Sequence, residues 1–355
     1  MVRRYLVSIL TLLALSVGLF HPLSVQAADT DIPTTTPWPI PVSIVVRVLD
    51  VQKISEMTGE LNAVVEYTSR WSDSRLAFDA VSAGHQHLDL FGPPAVTKLN
   101  GIWNPGLTLQ NLVGTPRSVT HGLTIYADGT VVAVDTVDGT FKVDTTMDSF
   151  PFDTQRLALT FITPNYDRSQ VTLRQTDADR MQTSVADHPT ATQWHLKPLS
   201  TDTTNVVGWN GQTYSRFRFW LPASREASQY VLRIFAPFLV IMLGSVIVLW
   251  STESSALGKG SMILSGIVAL VALSFTFESS FPGSISMNSP ISALVSIGFV
   301  YMMSCFFLNL TVLNHEMAWA KRDSFLFHSV RTVVRFGMPA ILLSICVTIL
   351  VAAAV

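Results

Sequence analysis

The chain has 355 residues, is 48% hydrophobic and only 14% charged, and carries a formal net charge of −2 with a mean hydropathy of +0.39. About a quarter of the residues in an ordinary soluble globular protein are charged, so this composition argues against one and for membrane segments, and the balanced charge leaves no footprint for nucleic acid. The two cysteines, Cys305 and Cys346, lie in long apolar runs and read as small hydrophobes rather than an exported disulfide.

In chain order, Arg3 and Arg4 precede an apolar run from Tyr5 to Phe20, and Val25-Gln26-Ala27 supplies a small-residue cleavage site. This is the three-part pattern of a secretory signal. A signal peptide over 1–27 is therefore expected, with a periplasmic domain over 28–228 and a membrane domain over 229–355. The first of these domains reads as β. Residues 42–51, 61–67, 122–126, 130–137 and 157–162 have strand composition, and Asp128-Gly129, Asp138-Gly139 and Asn210-Gly211 read as turns. No sustained helical period appears between 40 and 220. An immunoglobulin-like β-sandwich of about ten strands is expected.

Four stretches then approach the roughly 20 apolar residues that cross a bilayer: about 231–250, 259–279, 291–313 and 330–355. Lys321, Arg322, Arg331 and Arg335 lie between the third and fourth, whereas Ser279 to Ser289 has no Lys or Arg. Basic residues mark the cytoplasmic side, which places the first domain and the C-terminus in the periplasm of a bacterial inner membrane protein. On the second stretch, Ser261, Ser265, Val268, Ala272 and Phe275 recur at i, i+4, i+7, i+11 and i+14 and form one stripe. Such a stripe suits either the wall of a pore or helix packing, where Ser and small residues are also common.

Three segments carry a resemblance. Residues 71–79 read WSDSRLAFD, residues 102–111 read IWNPGLTLQN, and residues 150–155 read FPFDTQ. In this order, followed by four spans, they resemble the pentameric ligand-gated ion channels, in the bacterial branch that lacks the loop disulfide of animal receptors. The resemblance implies a homopentamer in the lipid bilayer, a central pore lined by the second span, and monovalent cations as permeant ions. It implies no cofactor and no metal. The pore-lining set would be Ser261, Ser265, Val268, Ala272, Phe275 and Glu278. Glu278 at the outer end and Glu253 in the preceding link favour cations, while Lys259 opposes them. Glu56, Asp153 and Arg225 match a coupling triad, and Pro282 matches the proline of the loop after the pore helix.

The positions of the family's loop disulfide are Val143 and Leu157 here, so the loop is expected to close by apolar packing alone. The aromatic cage for ammonium agonists is mostly missing: its positions fall near Pro164, at Gln110 and near Glu66. Trp209 and Tyr214 flank the presumed agonist hairpin at Asn210-Gly211, and with Glu66, Gln110 and Tyr166 they form the candidate ligand set. The opener is either protons or a small organic molecule. Asp50, Glu56 and Glu60 lie near one another for the former, although Leu270 replaces the histidine that proton-gated relatives carry in the pore helix. A membrane-anchored sensor that does not conduct is the alternative. No catalytic spacing is present. His85 and His87 beside Asp89 hint at a metal, but no third ligand sits at site spacing, and a solvated loop is the expectation.

Overall fold

The computed structural model describes residues 30–251, 255–280, 289–314, 321 and 324–354. The signal segment, Glu253, Pro282 and Arg322 lie outside these residues.

The first half folds into two sheets. One contains β1 (Ile40–Ser55), β2 (Glu60–Ser72), β3 (His87–Phe91), β5 (Leu112–Tyr126), β6 (Thr130–Lys142), β8 (Val171–Arg174) and β9 (Ser184–Val185), in the order β3-β5-β6-β2-β1-β8 with β9 beside β1. The other contains β4 (Thr108–Leu109), β7 (Thr154–Ile162), β10 (Trp194–Leu196), β11 (Ser200–Val207) and β12 (Thr213–Arg225), in the order β10-β12-β7-β4 with β11 beside β12. Three short helices join them: α1 (Ala80–Ala83), α2 (Pro93–Asn100) and α3 (Asp177–Gln182). The sandwich thus has twelve strands rather than about ten. Two of them, β4 and β9, are only two residues long and carry too little pattern to read.

Strand alternation does the building. Along β2, residues from Leu61 to Trp71 bury every second side chain, which sends one face to the core. Trp103, Phe141, Phe161, Phe219 and Trp194 are the bulky members of that core. Tyr67 and Phe161 meet edge-to-face at 5.2 Å and join the two sheets. Each such burial contributes about 1.5–3 kcal/mol before entropy is counted.

The quoted motifs have structural roles here. Trp71 meets Trp103 edge-to-face at 6.2 Å. Asp73 is buried, caps the turn Ser74–Leu76 and bonds the Arg75 guanidinium at 2.7 Å. Asp138-Gly139 is not a turn; it lies inside β6, opposite Val64 and Ala63. A Cβ on Gly139 would stand 2.7 Å from Leu112 Cδ1, so the glycine admits a neighbouring strand's side chain.

The second half is helical. A π-helical segment, Val231–Phe235, leads into α4 (Ala236–Trp250), followed by α5 (Ala256–Ser280), α6 (Pro290–Leu310) and α7 (Ser324–Ala354). Pro237 has no N–H for the carbonyl four residues earlier, and the helix widens just before it. Each of the four helices is long and apolar enough to cross a membrane. Gly298 on α6 is one of their close approaches. A Cβ there would lie 3.0 Å from Phe238, 3.1 Å from Leu270 and 3.4 Å from Met242, atoms of α4 and α5. Small residues at helix contacts let backbones approach in this way. A second cluster of Phe150, Tyr230, Ile234, Phe277, Ile291 and Val295 joins the sandwich to the bundle.

Candidate functional site

At that junction, Arg225 ends β12. Its Nε donates to Asp153 Oδ1 at 2.6 Å and its Nη2 to Asp153 Oδ2 at 3.0 Å, while Nη2 also bonds Glu56 Oε1. Asp153 comes from the segment between β6 and β7, and Glu56 from the turn between β1 and β2, so two separate connections converge on the guanidinium at the end of β12. The side chains of Arg225 and Asp153 are only 3% and 4% exposed. Three rings surround the guanidinium: Trp194 at 4.2 Å, Phe150 at 4.8 Å and Tyr230 at 5.4 Å. Burial by itself would lower the Arg225 pKa. The hydrogen bonds and charges of Asp153, then those of Glu56, outweigh it and hold the pKa above the usual arginine value. The guanidinium therefore stays charged although buried.

The loop that animal receptors close covalently does not close by apolar packing alone. Val143 and Leu157 are buried, but Gln155 also clamps the loop. Its Oε1 accepts from Thr146 N at 3.1 Å, and its Nε2 donates to Thr146 O at 2.6 Å and to Asp153 Oδ2 at 2.7 Å. Asn111 adds a bridge between the sheets, donating to Lys142 O and Ala158 O, both at 2.8 Å, and accepting from Thr160 N at 3.0 Å. Neither residue was singled out from the sequence, although both stand inside the quoted motifs. Trp194 and Tyr230 were missed as well, because nothing in their local sequence points at Arg225.

The β11–β12 hairpin forms where Asn210-Gly211 predicts it. Gly211 adopts φ +76°, and Asn210 Oδ1 accepts from Gln212 N at 3.1 Å. Trp209 is 96% exposed, whereas Tyr214 is buried and its hydroxyl accepts from Asn210 Nδ2 at 2.9 Å. Gly208 lets that ring lie flat; a Cβ there would be 2.4 Å from it. Tyr166 packs on Trp103 at 5.7 Å, Gln110 is exposed, and Glu66 on β2 is ion-paired with Arg47 on the neighbouring strand β1 of the same sheet. Among the described residues, no hydrogen bond or ring contact joins Glu66, Gln110 or Trp209 to the other members of the candidate ligand set, so a single chain does not assemble it.

On α5 the two faces differ. Gly260, Ile263, Leu270 and Phe277 are buried in the bundle. Ser261, Ser265, Val268, Ala272, Phe275 and Glu278 are all exposed on the single chain, Val268 by 62% and Phe275 by 72%. Ser261 and Ser265 donate to Gly258 O at 2.8 Å and Ser261 O at 3.0 Å, which leaves their oxygen lone pairs directed away from the helix. From Ser261 to Phe275 the stripe runs about 21 Å along the axis.

His87 and Asp89 stand on the edge strand β3 rather than in a loop, with His87 Nδ1 and Asp89 Oδ2 3.0 Å apart. No metal-binding group of three ligands is found among the described residues.

Residues 26–226 match the model of the neurotransmitter-gated ion-channel ligand binding domain. The chain is 24% identical to a proton-gated ion channel of Gloeobacter violaceus, over 63% of this chain and 59% of that one. It is 23% identical to the serotonin-gated chloride channel mod-1 of Caenorhabditis elegans, over 75% of this chain and 52% of that one. It is 25% identical to the neuronal acetylcholine receptor subunit alpha-10 of Rattus norvegicus, over 69% and 52%. The chain thus spans somewhat more than half the length of these relatives.

Proposed function

We propose that this chain, which belongs to the pentameric ligand-gated ion-channel family, assembles as a homopentamer and conducts ions along an axis lined by α5. The observation that carries this reading is the two-faced α5. One face packs on α4 and α6, while the opposite face holds a stripe that is exposed on the single chain and graded from hydroxyl to apolar. Around a symmetry axis the stripe becomes a stack of rings. The serine rings offer oxygens to a partly dehydrated ion, and the Val268 and Phe275 rings form the constriction that dewets.

Relatives of this chain include a proton-gated channel and chloride channels, so likeness alone does not choose the ion. A ring of Glu278, exposed at one end of the stripe, favours cations. The opener acts on the sandwich and must bind the open form more tightly than the closed one. Its pull reaches the membrane through Arg225, which ties the β1–β2 turn and the loop before β7 to the strand that leads into the first span.

A proton is the first candidate opener. Asp50 accepts from Thr190 N and Thr190 Oγ1, both at 2.8 Å, and so ties β1 to the segment before β10. A small organic molecule held between hairpins of neighbouring subunits is the second. Recording purified protein in a planar bilayer from about pH 8 down to about pH 4 separates them. Current that rises on acidification, and does so less steeply in Asp50→Asn, supports protons. A channel silent at every pH without an added organic ligand removes that reading.

A further inference from the structure

A cavity of about 890 Å³ opens between the segment that joins α3 to β10 and the edge strands β10 and β11. None of the residues assigned above to the pore face or to the hairpin lines it. Its volume falls within the range of pockets that hold small ligands. Arg180, His188, His195 and Lys197 line it with Asp187. Arg180 pairs with Asp177 at 3.3 Å and His195 bonds Glu226, so Lys197 is the lining cation with no carboxylate partner among the described residues. Trp194, Leu196 and Pro198 supply apolar surface.

Trp194 is the second observation. It is 2% exposed, and its indole nitrogen is buried without a hydrogen-bond partner. Gln175 Oε1, on another lining residue, is in the same condition. Trp194 also reaches the junction. It is the cross-strand partner of Arg225, and the Arg225 guanidinium stands 4.2 Å from its ring. Beside it, His195 Nε2 bonds Glu226, the residue after Arg225.

We propose that this cavity is a second ligand site, for a small carboxylate with an apolar body, and that occupancy is transmitted to the Arg225 ion pairs through Trp194. Lys197 pairs with the carboxylate, and the apolar body lies along Trp194 and Leu196. Binding stands on the cavity alone, whereas the effect on current rests on the channel reading above.

Benzoate is the probe, and the full chain in detergent is the sample. Saturation-transfer NMR should show benzoate binding to the wild type. Binding should be about tenfold weaker in Lys197→Ala, which loses a charge-assisted contact. It should be absent in Thr192→Trp, which fills the cavity, and unchanged in Lys98→Ala on α2. No transfer to the wild type, or equal binding by all three variants, overturns the site. In a planar bilayer, benzoate should change the open fraction of the wild type and leave that of Thr192→Trp unaltered. Benzoate that binds but leaves the open fraction unchanged overturns the transmission through Trp194. A protein that binds benzoate and conducts under no condition refutes the channel reading while the site stands.

Discussion

Arg225 is held by two carboxylates and three rings, drawn from the β1–β2 turn, the segment before β7, strand β10 and the start of the membrane half. Truncating it strands Asp153, which is buried with a charge that only Gln155 would then contact. Arg225→Ala is expected to destabilise the fold by about 3–5 kcal/mol, the usual cost of leaving one member of a buried pair alone. Arg225→Lys should fall between, since an ammonium cannot bond both carboxylates as a fork. Thermal melts in detergent measure both. Asp179 makes a separate prediction in pH. It is fully buried, and burial would raise its pKa, but hydrogen bonds from Ser43 and Thr176 and the nearby Arg70 hold it below the ordinary value. A depressed folded pKa means that this stabilisation is complete above the unfolded aspartate range, near about 3.9. It is lost as pH falls through the folded pKa. Asp179→Asn should flatten that acid limb and cost about 1–3 kcal/mol at neutral pH. Melts at several acidic pH values test this, and an unchanged acid limb counts against it.

Among the elements, α5 and α6 meet at Gly298, where Phe238, Met242 and Leu270 leave no room for a side chain. Gly298→Val should force those helices apart and lower the melting temperature of the bundle more than Gly244→Val, where a Cβ meets nothing within 4 Å. Elements with a strong period were legible from the sequence. Strands β1, β2, β6 and β7, the end of β5, the four apolar helices and the hairpin at Asn210-Gly211 overlap the segments that composition and turn residues mark, whereas the length of β12 (Thr213–Arg225) does not show in its composition. Asp138-Gly139 misled because a strand glycine and a turn glycine look alike until the neighbour, Leu112, is known. The clamp at Gln155 was invisible for a related reason. A glutamine announces hydrogen-bonding capacity but not the backbone it will meet, so the loop was expected to rely on Val143 and Leu157 alone. The convergence of Glu56, Asp153 and Arg225 was legible through the family motifs. The rings that enclose it were not, because Trp194 and Tyr230 reach Arg225 through tertiary packing.

At the scale of the whole molecule, the apolar surface that a single chain leaves exposed is covered either by lipid or by neighbouring subunits. The stripe from Ser261 to Phe275 carries large apolar side chains, Val268 and Phe275, that stay mostly exposed on the single chain, and among the described residues the candidate ligand set is not joined within one chain. Both features fit a ring of subunits in which neighbours complete the agonist site and the five stripes face one axis. With a NaCl gradient across a bilayer, the reversal potential should follow sodium if the Glu278 ring sets the preference, and Glu278→Lys should move it towards chloride. The most direct measurement is unitary current from the purified protein in a planar bilayer, with a charged thiol reagent applied to single cysteine variants in a background that carries both Cys305→Ala and Cys346→Ala. Ser265→Cys, on the exposed stripe, should lose its current on modification, while Ile263→Cys, on the buried face of the same helix, should keep it. Absence of unitary current, or equal block of the two variants, would contradict a pore lined by α5.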